Sequence, residues 1–144
     1  MINFNNRKNQ RGISLLEVMM SLAVIALILV LATRLYRVVQ ISSQSDSLLH
    51  SISSIVAAQT SYATANGTYT TYANLVPGYL PQSATVDPWG NTLALAINAN
   101  GYTLTVTAIP ALVCANVNPK LANMTAVVPT CPATGSGAYT VTFN

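Results

Sequence analysis

Gly12-Ile13-Ser14-Leu15-Leu16-Glu17-Val18-Met19-Met20-Ser21-Leu22-Ala23-Val24-Ile25-Ala26-Leu27-Ile28-Leu29-Val30-Leu31-Ala32 decides how this chain is to be read, because within it only Glu17 carries a charge. From Ile13 to Ala32 about 20 residues, at roughly 1.5 Å each, reach about 30 Å, the thickness of a bilayer's hydrocarbon core. A carboxylate in such a run costs roughly 2–3 kcal/mol on insertion scales, so Glu17 calls for a compensating group. Arg7, Lys8 and Arg11 stand just before Gly12. If the chain is cut after Gly12, the new α-amine of Ile13 lies one helical turn from Glu17, and amine and carboxylate neutralise each other.

With those residues in view, Arg11-Gly12-Ile13-Ser14-Leu15-Leu16-Glu17-Val18 resembles the leader and N-terminal motif of type IV prepilins. The resemblance implies a dedicated prepilin peptidase that cuts between Gly12 and Ile13 and methylates the Ile13 amine, with Glu17 as the assembly residue. Ile13 departs from the commonest first mature residue of that family, Phe. The competing reading is a secretory signal peptide ending at Val30-Leu31-Ala32, and a Glu inside the apolar region argues against it.

Charge placement narrows the function classes. The formal charge of +3 points to anionic partners. Yet Arg7, Lys8 and Arg11 all precede the cleavage point, and what remains is Arg34, Arg37 and Lys120 against Glu17, Asp46 and Asp87. The mature chain is therefore balanced, and nucleic-acid binding by this subunit loses its electrostatic basis. Three cations before the span, against Arg34 and Arg37 after it, favour a cytoplasmic N-terminus and an outward-facing remainder. Cys114 and Cys131 are spaced neither as a redox pair nor as a zinc site, and the lone His50 completes no ligand set. A structural disulfide in an oxidising compartment is the expectation.

Beyond Ala32 the pattern becomes periodic: Leu35, Val38, Val39, Ser42, Ser45, Leu48, Leu49, Ile52, Ile55, Val56, Gln59 and Tyr62 recur at three and four residues, one face of a helix. With no Gly or Pro between Ile13 and Asn66, a helix of about 50 residues is expected, ending at Asn66-Gly67. Thr68 to Pro88 reads as a connecting loop with one helical turn at Tyr72 to Val76. A strand at Thr92 to Ala96, a turn at Asn98-Ala99-Asn100-Gly101, a strand at Tyr102 to Thr107 and a last strand at Ala138 to Phe143 follow. Cys114 to Cys131 holds Pro119 and Pro129 without clear periodicity and reads as a loop closed by the disulfide.

The head also resembles the pilin family and the major pseudopilins of type II secretion at Leu75 to Pro81 and at Asp87-Pro88-Trp89-Gly90-Asn91. This implies the packing: an α+β fold in which a long N-terminal α-helix, membrane-spanning in its first half, lies on a small antiparallel β-sheet. Segments are expected at 1–12 (leader), 13–33 (membrane and assembly half), 34–65 (amphipathic half) and 66–144 (sheet head with the disulfide-closed loop).

Other side chains receive plainer readings. Ser21, one turn beyond Glu17, either bonds Glu17 or returns its hydroxyl to a backbone carbonyl. Arg34, Tyr36 and Arg37 are interfacial anchors. His50 is a surface residue with no nucleophile or carboxylate to serve. Asp87 pins the Pro88-Trp89-Gly90 turn, Trp89 is a packing anchor, and Asn66-Gly67-Thr68 and Asn123-Met124-Thr125 match the glycosylation triplet.

The sequence thus reads as a non-enzymatic subunit of a type IV pilus, with a type II secretion pseudopilin as the alternative. It takes no cofactor and no metal, since the head beyond the helix offers Asp87 as its sole acidic side chain. Its expected partners are further copies in a helical filament, prepilin peptidase, the inner-membrane assembly machinery, and membrane lipid before assembly.

Overall fold

The computed structural model describes residues 14–125, 127 and 129–144. The chain falls into two compact units, the first ending at Arg37 and the second running from Val38 to Asn144. Helix α1 (Leu15–Asn66) contributes to both. Nothing in its sequence interrupts the backbone hydrogen-bond ladder, and it stops where Gly67 takes φ +77° and donates its N–H to the Ala63 carbonyl at 2.7 Å. Only a residue without Cβ enters that left-handed conformation at little cost.

In the first unit every described side chain of α1 is exposed, from Leu15 to Tyr36. In the second, Ser45, Leu48, Ile52, Ile55, Ala58 and Gln59 are buried at helical spacing. Leu35, Val38 and Val39 share that period but remain exposed; contact with the core begins at Ile41. The buried Ser45 satisfies its hydroxyl on the Ile41 carbonyl at 2.8 Å.

The sheet has three antiparallel strands in the order β1 (Ala94–Asn98), β2 (Gly101–Pro110), β3 (Ser136–Phe143). Asn98 pairs with Gly101 across a two-residue turn. Alternation places Tyr102, Leu104 and Val106 of β2 and Tyr139, Val141 and Phe143 of β3 in the core with Leu48, Ile52 and Ile55. Between the pairs Val106↔Tyr139 and Ile109↔Gly137, β2 carries one residue more than β3. This bulge resets the alternation, so that Ile109 points inward and is fully buried. Strand β1 begins two residues later than the Thr92–Ala96 expectation, and the helical turn after α1 is α2 (Tyr72–Leu75).

One expectation needs correction. The segment after Cys114 is not all loop: helix α3 spans Ala111–Leu121 and contains Cys114 itself. Its buried residues, Val113, Cys114, Val117 and Leu121, fall on one stripe against β2 and β3. Pro119 is tolerated because it lies in the last turn, where its missing N–H costs one bond and little of the helix follows. Burial of the stripe outweighs a composition that argues against a helix. The disulfide-closed segment therefore holds the last two turns of α3 as well as the residues that lead toward β3.

Candidate functional site

Glu17 lies in the first turn of α1, exposed. The Ser14 carbonyl accepts the N–H groups of Glu17 at 2.9 Å and Val18 at 3.2 Å, which starts the helix. A carboxylate in a first turn faces the positive end of the helix dipole, so Glu17 suits this place even before it meets a partner. The expected cleavage pair Gly12 and Ile13, Ile13 as the methylated residue, and the 1–12 leader lie outside the described residues. Ser21 donates to the Val18 carbonyl at 2.8 Å and not to Glu17, and among the described residues the carboxylate has no hydrogen-bond partner.

From Leu15 to Val39 the helix presents large aliphatic side chains all round, with Leu15 79% exposed and Leu31 58% exposed. Among the described residues α1 alone is long and apolar enough to cross a membrane. Such a surface is unstable in water and needs either lipid or other helices around it. Arg34, Tyr36 and Arg37 are exposed at the end of that stretch, as interfacial anchors would be.

A family model, the prokaryotic N-terminal methylation motif, matches residues 7–33. The chain carries a prepilin N-terminus of the type IV pilin and pseudopilin kind. The match spans the basic run, Gly12, Glu17 and the apolar stretch, and no part of the head. No curated protein and no solved structure matches the chain. The motif implies processing by prepilin peptidase and assembly into filaments, with the subunit anchored in a membrane beforehand, and it belongs to structural subunits rather than enzymes.

The head is held by three local devices. Cys114 and Cys131 are bonded, with Cα atoms 5.7 Å apart, and so join α3 to the segment that leads into β3. Two hydrogen bonds reinforce that junction, Ala111 N–H to the Gly135 carbonyl at 2.9 Å and the Tyr139 hydroxyl to Asn118 Oδ1 at 3.1 Å. In the second device, Asp87 is 5% exposed and accepts from the Trp89 N–H at 3.0 Å, the Asn91 N–H at 2.7 Å and the Asn91 side-chain amide at 3.2 Å. Its carboxylate is committed to the turn, in which Gly90 takes φ +87°.

The third device went unread in the sequence. Gln59, fully buried on the sheet-facing side of α1, donates its amide to the Thr70 carbonyl and accepts the Thr70 N–H at 3.1 Å. It replaces the missing neighbouring strand for one residue of the loop after α1. The signal was present, since a Gln on an otherwise apolar helical face must satisfy both ends of its amide.

His50 is exposed on α1, and among the described residues no group of His, Cys, Asp or Glu has a metal-binding arrangement. Lys120 in the last turn of α3 meets Asp46 of α1 at 3.3 Å, both well exposed, a pair worth little by itself. Burial pushes the Tyr72 and Tyr139 hydroxyls up to about 12. Tyr102 is raised too, by burial first and by Tyr69 second.

Proposed function

We infer that this prepilin is the structural subunit of a type IV pilus. Residues 1–12 are its leader, removed between Gly12 and Ile13, with Ile13 then N-methylated. Residues 13–33 hold it as a single pass in the inner membrane, N-terminus in the cytoplasm and head in the periplasm. Residues 34–65 carry that helix into the head at 66–144. The assembly machinery draws the subunit into a filament whose core is the bundled apolar helices.

Glu17 is the residue on which this turns. Buried among apolar helices, an unpaired carboxylate costs several kcal/mol. The cationic amine of Ile13 on a neighbouring subunit removes that cost at one axial height only, so the pairing sets register. The contact is heterologous and does not close, which yields a filament rather than a ring.

The observation that carries the reading is the single carboxylate in the first turn of α1, within an otherwise uncharged and exposed apolar stretch from Leu15 to Ala32, inside the matched motif. A pilus is favoured over a secretion pseudopilus because the segment before β3 is stapled by Cys114–Cys131, whereas calcium would need several oxygen ligands. Deleting the gene is expected to abolish surface filaments recovered by shearing and to leave exoprotein secretion intact. Lost secretion with retained filaments would establish the pseudopilin alternative.

A further inference from the structure

Strand β1 forms one edge of the sheet, and that edge is covered only at its start. Leu93 donates its N–H to the Thr85 carbonyl at 2.8 Å and Val86 bridges Thr92, so the loop before β1 closes the edge as far as Leu93. Since Asn98, Ala96 and Ala94 pair with Gly101, Thr103 and Thr105 of β2, the backbone groups of Leu95 and Ile97 point the other way, as those of Leu93 do. Among the described residues no further backbone hydrogen bond reaches them.

Natural edges are blunted by charge, proline or a bulge. Ala94-Leu95-Ala96-Ile97-Asn98 has none of these, and Ile97 is 37% exposed.

We propose that a second copy of this chain pairs its β1 antiparallel to this edge about a two-fold axis through Ala96. In that register Leu95 of each copy exchanges both main-chain hydrogen bonds with Ile97 of the other. Leu95 and Ile97 lie on the sheet face that carries Tyr102 and Leu104, so the pairing also covers the exposed Ile97 with the other copy's Leu95. Ala96 faces Ala96 across the axis with small, uncharged side chains.

This contact rests on the filament reading, and that reading also places it. Subunits drawn from one membrane in one orientation make a polar filament, which has no two-fold axis relating its members. An isologous β1 contact therefore joins subunits of two different filaments lying side by side. A five-residue edge buries too little for a stable dimer, so isolated subunits stay monomeric, and repetition along two filaments supplies the affinity.

The test is the single variant Ala96→Cys in sheared, concentrated filaments, followed by non-reducing electrophoresis and peptide mass spectrometry. Directly opposed residues of this type have Cα atoms about 4.5 Å apart, within the roughly 4.4–6.8 Å a disulfide spans, so linked dimers are expected. Asn98→Cys is the register control: in the proposed pairing its two copies lie about 14 Å apart and stay unlinked. Ile97→Lys is expected to give filaments in parental yield that lie singly by electron microscopy.

Parental filaments in which Ala96→Cys never links, or in which Asn98→Cys links equally well, overturn the inference alone. So do Ile97→Lys filaments that bundle as the parent does. A parent strain with no filaments overturns the filament reading first, and this inference with it.

Discussion

Two side chains carry more of this molecule's behaviour than their size suggests, one near each end of α1. Glu17 is exposed in the first turn of an apolar helix, where its charge has no described partner, so its value lies in what it meets on assembly. Glu17→Ala is expected to be processed and inserted normally, because removing the charge eases insertion. In the filament it leaves the Ile13 amine unpaired at a cost of about 3–5 kcal/mol, which lowers assembly by about 100-fold or more. Quantifying sheared filaments against membrane-bound subunit checks this, and parental filament yield refutes the pairing. Gln59 is the opposite case, fully buried and satisfied within one subunit. Gln59→Met keeps the volume and strands the Thr70 N–H and carbonyl, so chemical denaturation of the mature subunit is expected to show a loss of about 1–3 kcal/mol. Assembly chemistry at Glu17 should be unaffected by that change.

The Cys114–Cys131 bond joins α3 to the segment that leads into β3. In the chain-entropy account, closing a loop of this length is worth about 3 kcal/mol, a large share of a small domain's stability. Cys114→Ser is therefore expected to lower the melting temperature by roughly 10 °C or more, and a reductant to do the same to the parent, while a chelator leaves it unchanged. An effect of chelator instead would reveal a cation holding the head.

The neighbouring elements show why some of this was legible in the sequence and some was not. Helix α1, the Asn98–Gly101 turn and the alternation of β2 announce themselves because local pattern and tertiary burial agree. The motif around Glu17 was equally legible, since an acid in an apolar run is too costly to stand there without a role. Helix α3 was hidden because Pro119 reads as a breaker, and only packing of Val113, Val117 and Leu121 on β2 and β3 makes the helix favourable. The bulge that turns Ile109 inward depends likewise on β3, far away in sequence. The Gln59 latch required knowing which loop returns to α1.

At the scale of the whole molecule, the charges lie mostly outside the head, and the head's core is closed with tyrosines instead. Beyond α1 the only charged side chains are Asp87 and Lys120, one spent on its own turn and the other in an exposed pair with Asp46. An alkaline response of the fold comes from Tyr72, Tyr102 and Tyr139, which pack in or against the core. Burial opposes the phenolate in each, and Tyr72 and Tyr139 are pushed up to about 12 from their ordinary value of 10.0. The sign follows from proton binding: near pH 10 the unfolded chain begins to release these protons while the folded chain keeps them, so ionisation favours unfolding. Their contribution is complete below pH 10 and is lost as the pH rises from about 10 to about 12. The head is therefore expected to show an alkaline transition in that window, followed by tyrosinate absorbance and circular dichroism together. Tyr72→Phe removes a buried hydroxyl without a described partner, so it should raise stability slightly and move the transition to higher pH. Tyr139→Phe, which loses the bond to Asn118, should instead lower stability at neutral pH. Tyrosinate forming gradually at pH 10 with the fold intact would show that these hydroxyls are solvated and that the core is not closed around them.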